Sequence, residues 1–334
     1  MREAELSDLE FALQLADTAD RITMSYYGQA GLLVLEKPDS TPVSEADRLV
    51  EQTLRDLIGA TLPTDGILGE EFGTTAGSGD GSGQPAGFGD QGAEATDSAS
   101  TSGAARRRQW IIDPIDGTKN FIRGVPVWAT LIALVTDDGA EPEFGASSPP
   151  APQVGLTPND DAATQPRIPD APAIAPPVRT RTVQVGVVSA PALGRRWWAG
   201  VGHGAWAGGL AHPEPIPLRV SQVNSLAQAT VSYASLDGWD KLGLLDDFVQ
   251  LTLDCGRSRA FGDFWSYMLL AEGAVDFAIE PELEVYDMAA LVPIVTEAGG
   301  TFTALDGQPG PWGGNAIASN GPLHQQVRNR LART

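Results

Sequence analysis

The chain has 334 residues, 42% of them hydrophobic, and a formal net charge of −21; it is long enough for two domains, and too acidic for a nucleic-acid surface, which takes clustered Lys and Arg. One cysteine, Cys255, excludes an intrachain disulfide or a Cys-cluster zinc site, and His203, His212 and His324 are too scattered to support a His-activated nucleophile. No apolar run is long enough to cross a bilayer, and the acid-studded N-terminus lacks a signal peptide's apolar stretch, so no membrane partner and a cytoplasmic location are expected.

Ser7 with Glu10 forms a capping-box pattern, and Leu9, Ala12, Leu15, Ala16, Ala19 and Ile22 recur behind it at helical spacing. A second helix is predicted over residues 44–58, with Leu49, Val50, Leu54 and Leu57 on its apolar side. Ile67 and Leu68 end a short strand that runs into Gly69-Glu70-Glu71-Phe72. Residues 74–105 are almost wholly Gly, Ser, Ala, Thr and acids, and residues 137–178 are rich in Pro, Ala and acids. Neither stretch has periodic apolar residues to offset its ordering entropy, so both are expected to be disordered insertions. They hold roughly half of the net negative charge, and without them the body is roughly 260 residues long.

Between the insertions lies WIIDPIDGTKNF, residues 110–121. Three apolar residues lead into Asp113 and Asp116 on a strand predicted to end at Pro114. Two acids directly behind Trp-Ile-Ile are costly without a cation or hydrogen-bond donors. Oxygen ligands at the end of a rigid strand favour Mg2+, Mn2+ or Ca2+ over zinc. Gly117 and Thr118 would then open a helix, where backbone N–H groups suit a phosphate. The residues by themselves point to a magnesium-dependent phosphate enzyme, whose bound cations reverse the local sign of an acidic protein.

Farther along, strands are predicted over 130–135 and 183–188, with a Gly-rich hairpin over 200–209. A strand over 230–234 and helices over 244–253 and 263–272 follow, the last closed by Gly273. Next come a strand over 275–279, a helix over 287–298 bent or started by Pro293, and a strand over 301–304. This alternation implies a layered α/β architecture with an open sheet in each half. Asp287, taken alone, also suits an ordinary helix N-cap.

The string WIIDPIDGTKNF resembles the central motif of the inositol monophosphatase family of Mg2+-dependent, lithium-sensitive phosphatases. GEEF at 69–72 is similar to that family's upstream acidic motif, and YDMAALVPIVTEAGG at 286–300 to its C-terminal motif. The resemblance implies an α/β (α+β) fold, a layered α-β-α-β-α sandwich of the inositol monophosphatase and fructose-1,6-bisphosphatase type with two sheets. It implies an N-terminal α+β domain over 1–223 carrying most metal ligands, and a C-terminal α/β domain over 224–334 completing the substrate pocket. Glu70, Asp113, Asp116 and Asp287 match the family's carboxylate ligands for two to three Mg2+ ions, with Mn2+ as an alternative. Ile115 matches the residue that lends a backbone carbonyl. Thr118 and Glu70 match the pair that orients the attacking water, and Gly117 and Thr118 the phosphate cradle. Asp47 matches an acid near a weaker third metal, and equally suits an N3 acid capping a helix from Ser44. A homodimer is implied by the resemblance alone.

The substrate is argued from further strings. Residues 257–300, with NFIRGVPVWATLIAL at 120–134, resemble the histidinol-phosphatase branch more than the inositol branch. Asp263 opens a helix where inositol-type enzymes carry a small residue, and Glu280 matches a contact to the alcohol. Trp128 is expected to offer a face to an imidazole or ammonium, or else to be a core aromatic. The expected reaction is hydrolysis of L-histidinol phosphate to L-histidinol and phosphate, in histidine biosynthesis. The alternatives are an inositol-1-phosphate phosphatase and, from another class, a regulatory protein of the same fold that binds RNA or the transcription machinery.

Overall fold

A computed structural model of the chain describes residues 7–29, 32–37, 42–78, 107–137, 181–210 and 212–331. Ser7 caps helix α1 (Asp8–Tyr26) through the expected reciprocal bonds with Glu10. Strands β1 (Val34–Glu36) and β2 (Pro42–Ser44) pair antiparallel and lead into α2 (Glu45–Thr61). Next come β3 (Gly66–Gly69), β4 (Gly73–Thr75), β5 (Arg107–Asp116), the short helix α3 (Thr118–Ile122) and β6 (Ala129–Asp137). The large sheet is completed by β7 (Arg181–Ala190), β8 (Arg195–Gly200), β9 (Ala205–Gly209) and β10 (His212–Pro217). The C-terminal part holds β11 (Thr230–Ser232), α4 (Asp237–Lys241), α5 (Leu245–Asp254), β12 (Arg257–Arg259), α6 (Asp263–Ala271) and β13 (Phe277–Glu280). After these come α7 (Val285–Met288), α8 (Leu291–Glu297), β14 (Thr301–Thr303), β15 (Ala316–Ser319) and α9 (His324–Leu331).

Two sheets carry the architecture: an eight-stranded one ordered β10-β9-β8-β7-β6-β5-β3-β4 and a five-stranded one ordered β12-β11-β13-β15-β14. Alternation along the strands decides which layer each side chain joins. On β5 and β6, Trp110, Ile112, Ile132 and Leu134 pack against Leu15, Ala16, Val50 and Leu54 of α1 and α2. Ile111, Leu131 and Ala133 face the other way, toward Phe264 and Met268 of α6 and Ile294 of α8. That middle layer also receives Ala278, Ala316 and Ala318 of the smaller sheet, whose outer face gives Phe277, Ile279 and Ile317 to α5 and α9. The result is an α-β-α-β-α sandwich. Gly186 lets α8 lie close on β7, since a Cβ there would stand 2.2 Å from the Ala290 carbonyl oxygen.

Several sequence expectations shift in detail. Strand β5 does not stop at Pro114 but continues to Asp116. Thr74 and Thr75 belong to β4, and Ser78 donates to the Pro63 carbonyl, so the first insertion begins later than residue 74. Asp137 likewise ends β6 rather than opening the second insertion. The remainder of both insertions lies outside the described residues. The run expected as one helix over 287–298 is two, α7 and α8, and Pro293 sits in the first turn of α8, where its missing N–H costs no helical bond. Residues 200–209 form the expected hairpin of β8 and β9. Among the described residues, no helix is long and apolar enough to cross a membrane.

Candidate metal and phosphate site

Strict alternation would send Asp113 and Asp116 to opposite faces of β5. They share a face because the strand is bulged between them: Asp113 pairs with Leu131 and Asp116 with Ala129, three steps on β5 against two on β6. The bulge falls at Pro114, which has no N–H to offer the ladder. Its carbonyl is held by Thr130 Oγ1 at 2.8 Å. Ile115 turns instead into a small cluster with Ala46, Phe121 and Trp128. Asp113 Oδ1 accepts from the Ile115 N–H at 3.0 Å, and Asp116 Oδ2 accepts from the Phe264 N–H of α6 at 2.6 Å.

Asp287 arrives from the C-terminal part as the third residue of α7, its Oδ2 accepting from the Glu284 N–H at 2.7 Å. It is therefore the returning partner of a capping box rather than the N-cap itself. One oxygen from each of Asp113, Asp116 and Asp287 lies within 4.8 Å of the others. Burial, with the charges of Glu70, Asp116 and Asp287 added, holds Asp113 well above the usual carboxylate range. Asp116 is raised in the same way by burial and by Asp263 and Asp287, and burial pushes Asp287 up to about 7. Among the described residues no basic side chain joins this group, a donor set of hard oxygens that suits a small divalent ion.

Glu70 follows β3, and its N–H donates to the Ile112 carbonyl at 3.2 Å, which sets it at the carboxyl ends of the parallel pair β3 and β5. Its carboxylate is not in the three-acid group. Lys37 Nζ lies 2.8 Å from Glu70 Oε1 and 2.6 Å from Glu71 Oε1, so one amine holds both glutamates. Asp47 is fully buried, caps α2 through the Ser44 N–H at 2.9 Å, and is pushed up to about 6 by burial. Its other oxygen, Oδ1, lies 3.4 Å from Thr118 Oγ1. The capping reading of Asp47 is the one these bonds show. Thr118 opens α3, with its hydroxyl 3.0 Å from the Ile115 carbonyl oxygen. Gly117 precedes it at φ +85°, and a Cβ there would meet the Val127 carbonyl oxygen at 3.0 Å and Asp263 Oδ2 at 3.3 Å.

The expected alcohol-side acids also converge on this edge. Asp263 is not the N-cap of α6, since Gly262 takes that place; Asp263 is the first helical residue, at φ +48°, where a non-glycine residue is strained. Asn120 Nδ2 donates to Asp263 Oδ2 at 3.1 Å and to the Val127 carbonyl at 2.9 Å. Glu280 ends β13, 6% exposed, and is pushed up to about 8 by burial, with the charge of Asp263 adding to the effect. Trp128 is a correction. It is fully buried, edge-on to Phe121 at 4.9 Å and tilted against Tyr27 at 5.3 Å, so its ring belongs to the core and offers no face to a ligand.

Some residues that build this site escaped the sequence reading. Glu51, buried in α2, accepts the N–H groups of Glu71 at 2.7 Å and Phe72 at 3.1 Å and pairs with Arg55 Nε at 2.8 Å. It thereby fixes the turn that carries Glu70. The i,i+4 spacing of Glu51 and Arg55 was visible, but nothing in it said the pair would be buried. Lys37 and Asn120 left no signal beyond their residue types.

Grouped acids at the end of β5 beside an open helix start give this layered fold the chemistry of a cation-assisted phosphatase. A model of the inositol monophosphatase family matches residues 5–157 and 175–334. The chain is 45% identical over 326 residues to a histidinol-phosphatase of Streptomyces coelicolor, covering 98% of this chain and 97% of that protein. It is 44% identical over 324 residues to a histidinol-phosphatase of Mycobacterium tuberculosis, covering 97% of each. An inositol monophosphatase structure from Zymomonas mobilis superposes with a TM-score of 0.66 at 26% identity, covering 99% of both chains. The chain belongs to the inositol monophosphatase family.

Proposed function

We propose that the chain is a Mg2+-dependent phosphate monoester hydrolase acting on L-histidinol phosphate in histidine biosynthesis. The observation that carries the reaction class is the group of buried Asp113 with half-buried Asp116 and Asp287, which holds no basic side chain among the described residues. The substrate is supported by the near full-length likeness to two histidinol-phosphatases. Asp113, Asp116, Asp287 and the Ile115 carbonyl would hold the ions, with Glu70 and Asp47 at the margin. Bound there, divalent ions neutralise the phosphate and acidify water.

The remaining work falls to the chain's own atoms. Thr118 Oγ1 donates its hydrogen bond to the Ile115 carbonyl or to Asp47, which leaves a lone pair to accept from a water. Glu70, when Lys37 releases it, takes the water's other proton, so the remaining lone pair points at phosphorus. The N–H groups at the start of α3 lack intrahelical acceptors and suit the phosphate oxygens. Asp263 and Glu280 put two carboxylates against the alcohol half. They suit a cationic amino-alcohol with an imidazole and discriminate against a neutral cyclitol.

Two to three Mg2+ ions, a homodimer and cytoplasmic residence belong to the same proposal. So does a division at residues 1–223 and 224–334, supported by the large sheet ending at Pro217 and the small one starting at Thr230. The test is steady-state hydrolysis with Mg2+. Specificity for histidinol phosphate over inositol 1-phosphate should exceed about 100-fold, and chelation should abolish turnover. Equal or faster hydrolysis of inositol 1-phosphate would sink the substrate assignment.

A further inference from the structure

Asp263 is fixed by contacts from outside its own helix. Among the described residues it is the one non-glycine residue in the left-handed region, at φ +48°, directly after Gly262 at φ +77°. Backbone strain of this kind persists only where the surroundings over-determine it. The surroundings here are α3 and the loop that follows it. Asn120 Nδ2 carries two protons, and two oxygens take them: the Val127 carbonyl at 2.9 Å and Asp263 Oδ2 at 3.1 Å. A peptide carbonyl can only accept, so the amide has one orientation that satisfies it. The backbone of Asn120 is held as well: its N–H donates to the Gly117 carbonyl at 2.8 Å, and its carbonyl accepts from the Val125 N–H at 2.9 Å. A Cβ on Gly117 would lie 3.3 Å from the same Asp263 Oδ2. One carboxylate oxygen of Asp263 is thus packed and bonded against α3. Among the described residues, nothing donates to the other, Oδ1.

We propose that Asn120 is a positioning residue for substrate specificity. Its amide pins Asp263 Oδ2 and leaves Oδ1 as the oxygen that meets a cationic group on the alcohol half. Asn120 lies in α3 two residues after Thr118, at the helix start assigned to the phosphate. The amide therefore ties the phosphate cradle to the alcohol pocket across 143 residues of chain, and so fixes how far the cation lies from phosphorus. Asn120 itself never touches the substrate. This inference rests on the reading of Asp263 as part of the alcohol pocket.

The test is the ratio of kcat/KM for histidinol phosphate to that for p-nitrophenyl phosphate, whose leaving group carries no cation. Any loss of folded enzyme cancels in that ratio. Asn120→Leu roughly keeps the volume of the side chain and Asn120→Ala does not, but both remove the two donors. Each should lower the ratio about tenfold, the worth of one hydrogen bond to a charged group. The fall should come from a raised KM for histidinol phosphate, with kcat within about threefold. Asp263→Ala should lower the ratio at least as far, and Asn120→Ala added to it should lower it no further. An unchanged ratio, or additive effects of the two changes, would overturn the proposal. So would loss of cooperative thermal unfolding in both Asn120 variants, which would assign the amide to the fold. A wild-type enzyme with no preference for histidinol phosphate, or an Asp263→Ala enzyme that keeps the preference, would remove the pocket reading and this inference together. A preference lost in Asp263→Ala but kept in both Asn120 variants would remove this inference alone.

Discussion

Two sets of acids flank the same strand, and the chain treats them oppositely. At the N-terminal end of β5, Arg108 clamps Asp65 at 3.0 Å and Asp8 at 2.7 Å, while Trp110 Nε1 donates to Asp65 at 2.9 Å. Glu51 of α2, with no exposed side-chain surface, is likewise matched by Arg55 and by two backbone N–H groups. At the C-terminal end, Asp113, Asp116 and Asp287 crowd together with a few backbone donors and, among the described residues, no basic side chain in the group. The first set is neutralised from within and holds the fold. The second is held above its usual range of protonation until something from outside neutralises it. The same residue types thus serve stability or function according to where the countercharge comes from.

The contrast breaks most sharply at Asp113. Asp113→Asn should cut turnover by more than about 100-fold, since a ligand counts for more than an outer-shell contact. Without metal, the variant should unfold at a higher temperature than the wild type, because a buried carboxylate has gone. A normal kcat, or a destabilised metal-free protein, would contradict the assignment. On the structural side, Arg55→Ala strands Glu51 in the core and should cost about 3–5 kcal/mol in urea unfolding. An unchanged midpoint would show that Glu51 is satisfied by the backbone alone.

Next in size is the response to pH. Asp47 and Asp287 titrate at about 6 and about 7 in the folded chain, above their ordinary value of 3.8. Between pH 4 and 7 the native state therefore binds more protons than the unfolded state, so metal-free stability falls as pH rises through that window. The expected loss from pH 5 to pH 8 is on the order of 4 kcal/mol. Saturating Mg2+ should restore it at pH 8 and add little at pH 5, as followed by denaturant unfolding. A metal-free enzyme equally stable at both values would show that these acids are already neutralised. The smallest effect is expected at Trp128, whose ring packs on Phe121 and whose Nε1 has no partner. Trp128→Phe should cost about 1 kcal/mol of stability and leave KM nearly unchanged. A large rise in KM would return the ring to the pocket.

Much of this was legible before any coordinates. The capping boxes at Ser7–Glu10 and Ser44–Asp47, the hairpin over 200–209 and the two runs without apolar periodicity depend on neighbours a few residues apart, so pattern alone reports them. The bulge at Pro114 was not legible, and the predicted strand end there is the mark of that. Proline signals a break in the ladder, but only the antiparallel partner β6 turns the break into an extra residue that realigns Asp116. Trp128 was ambiguous for a similar reason: an aromatic at a strand start looks the same whether it meets solvent or the rings of Tyr27 and Phe121.

The sequence by itself determined the chemistry on offer: oxygen ligands, no thiol or imidazole cluster, a glycine where a left-handed turn precedes α3, and motifs in the order of one family. Tertiary structure decided how those groups meet. It brought Asp287 to Asp113 across more than 170 residues, and gave Glu70 and Glu71 to Lys37. Periodicity and capping act over one or two turns of chain and are written locally. A buried carboxylate's ionisation depends on every charge and dipole around it, and those neighbours are chosen only when the layers close.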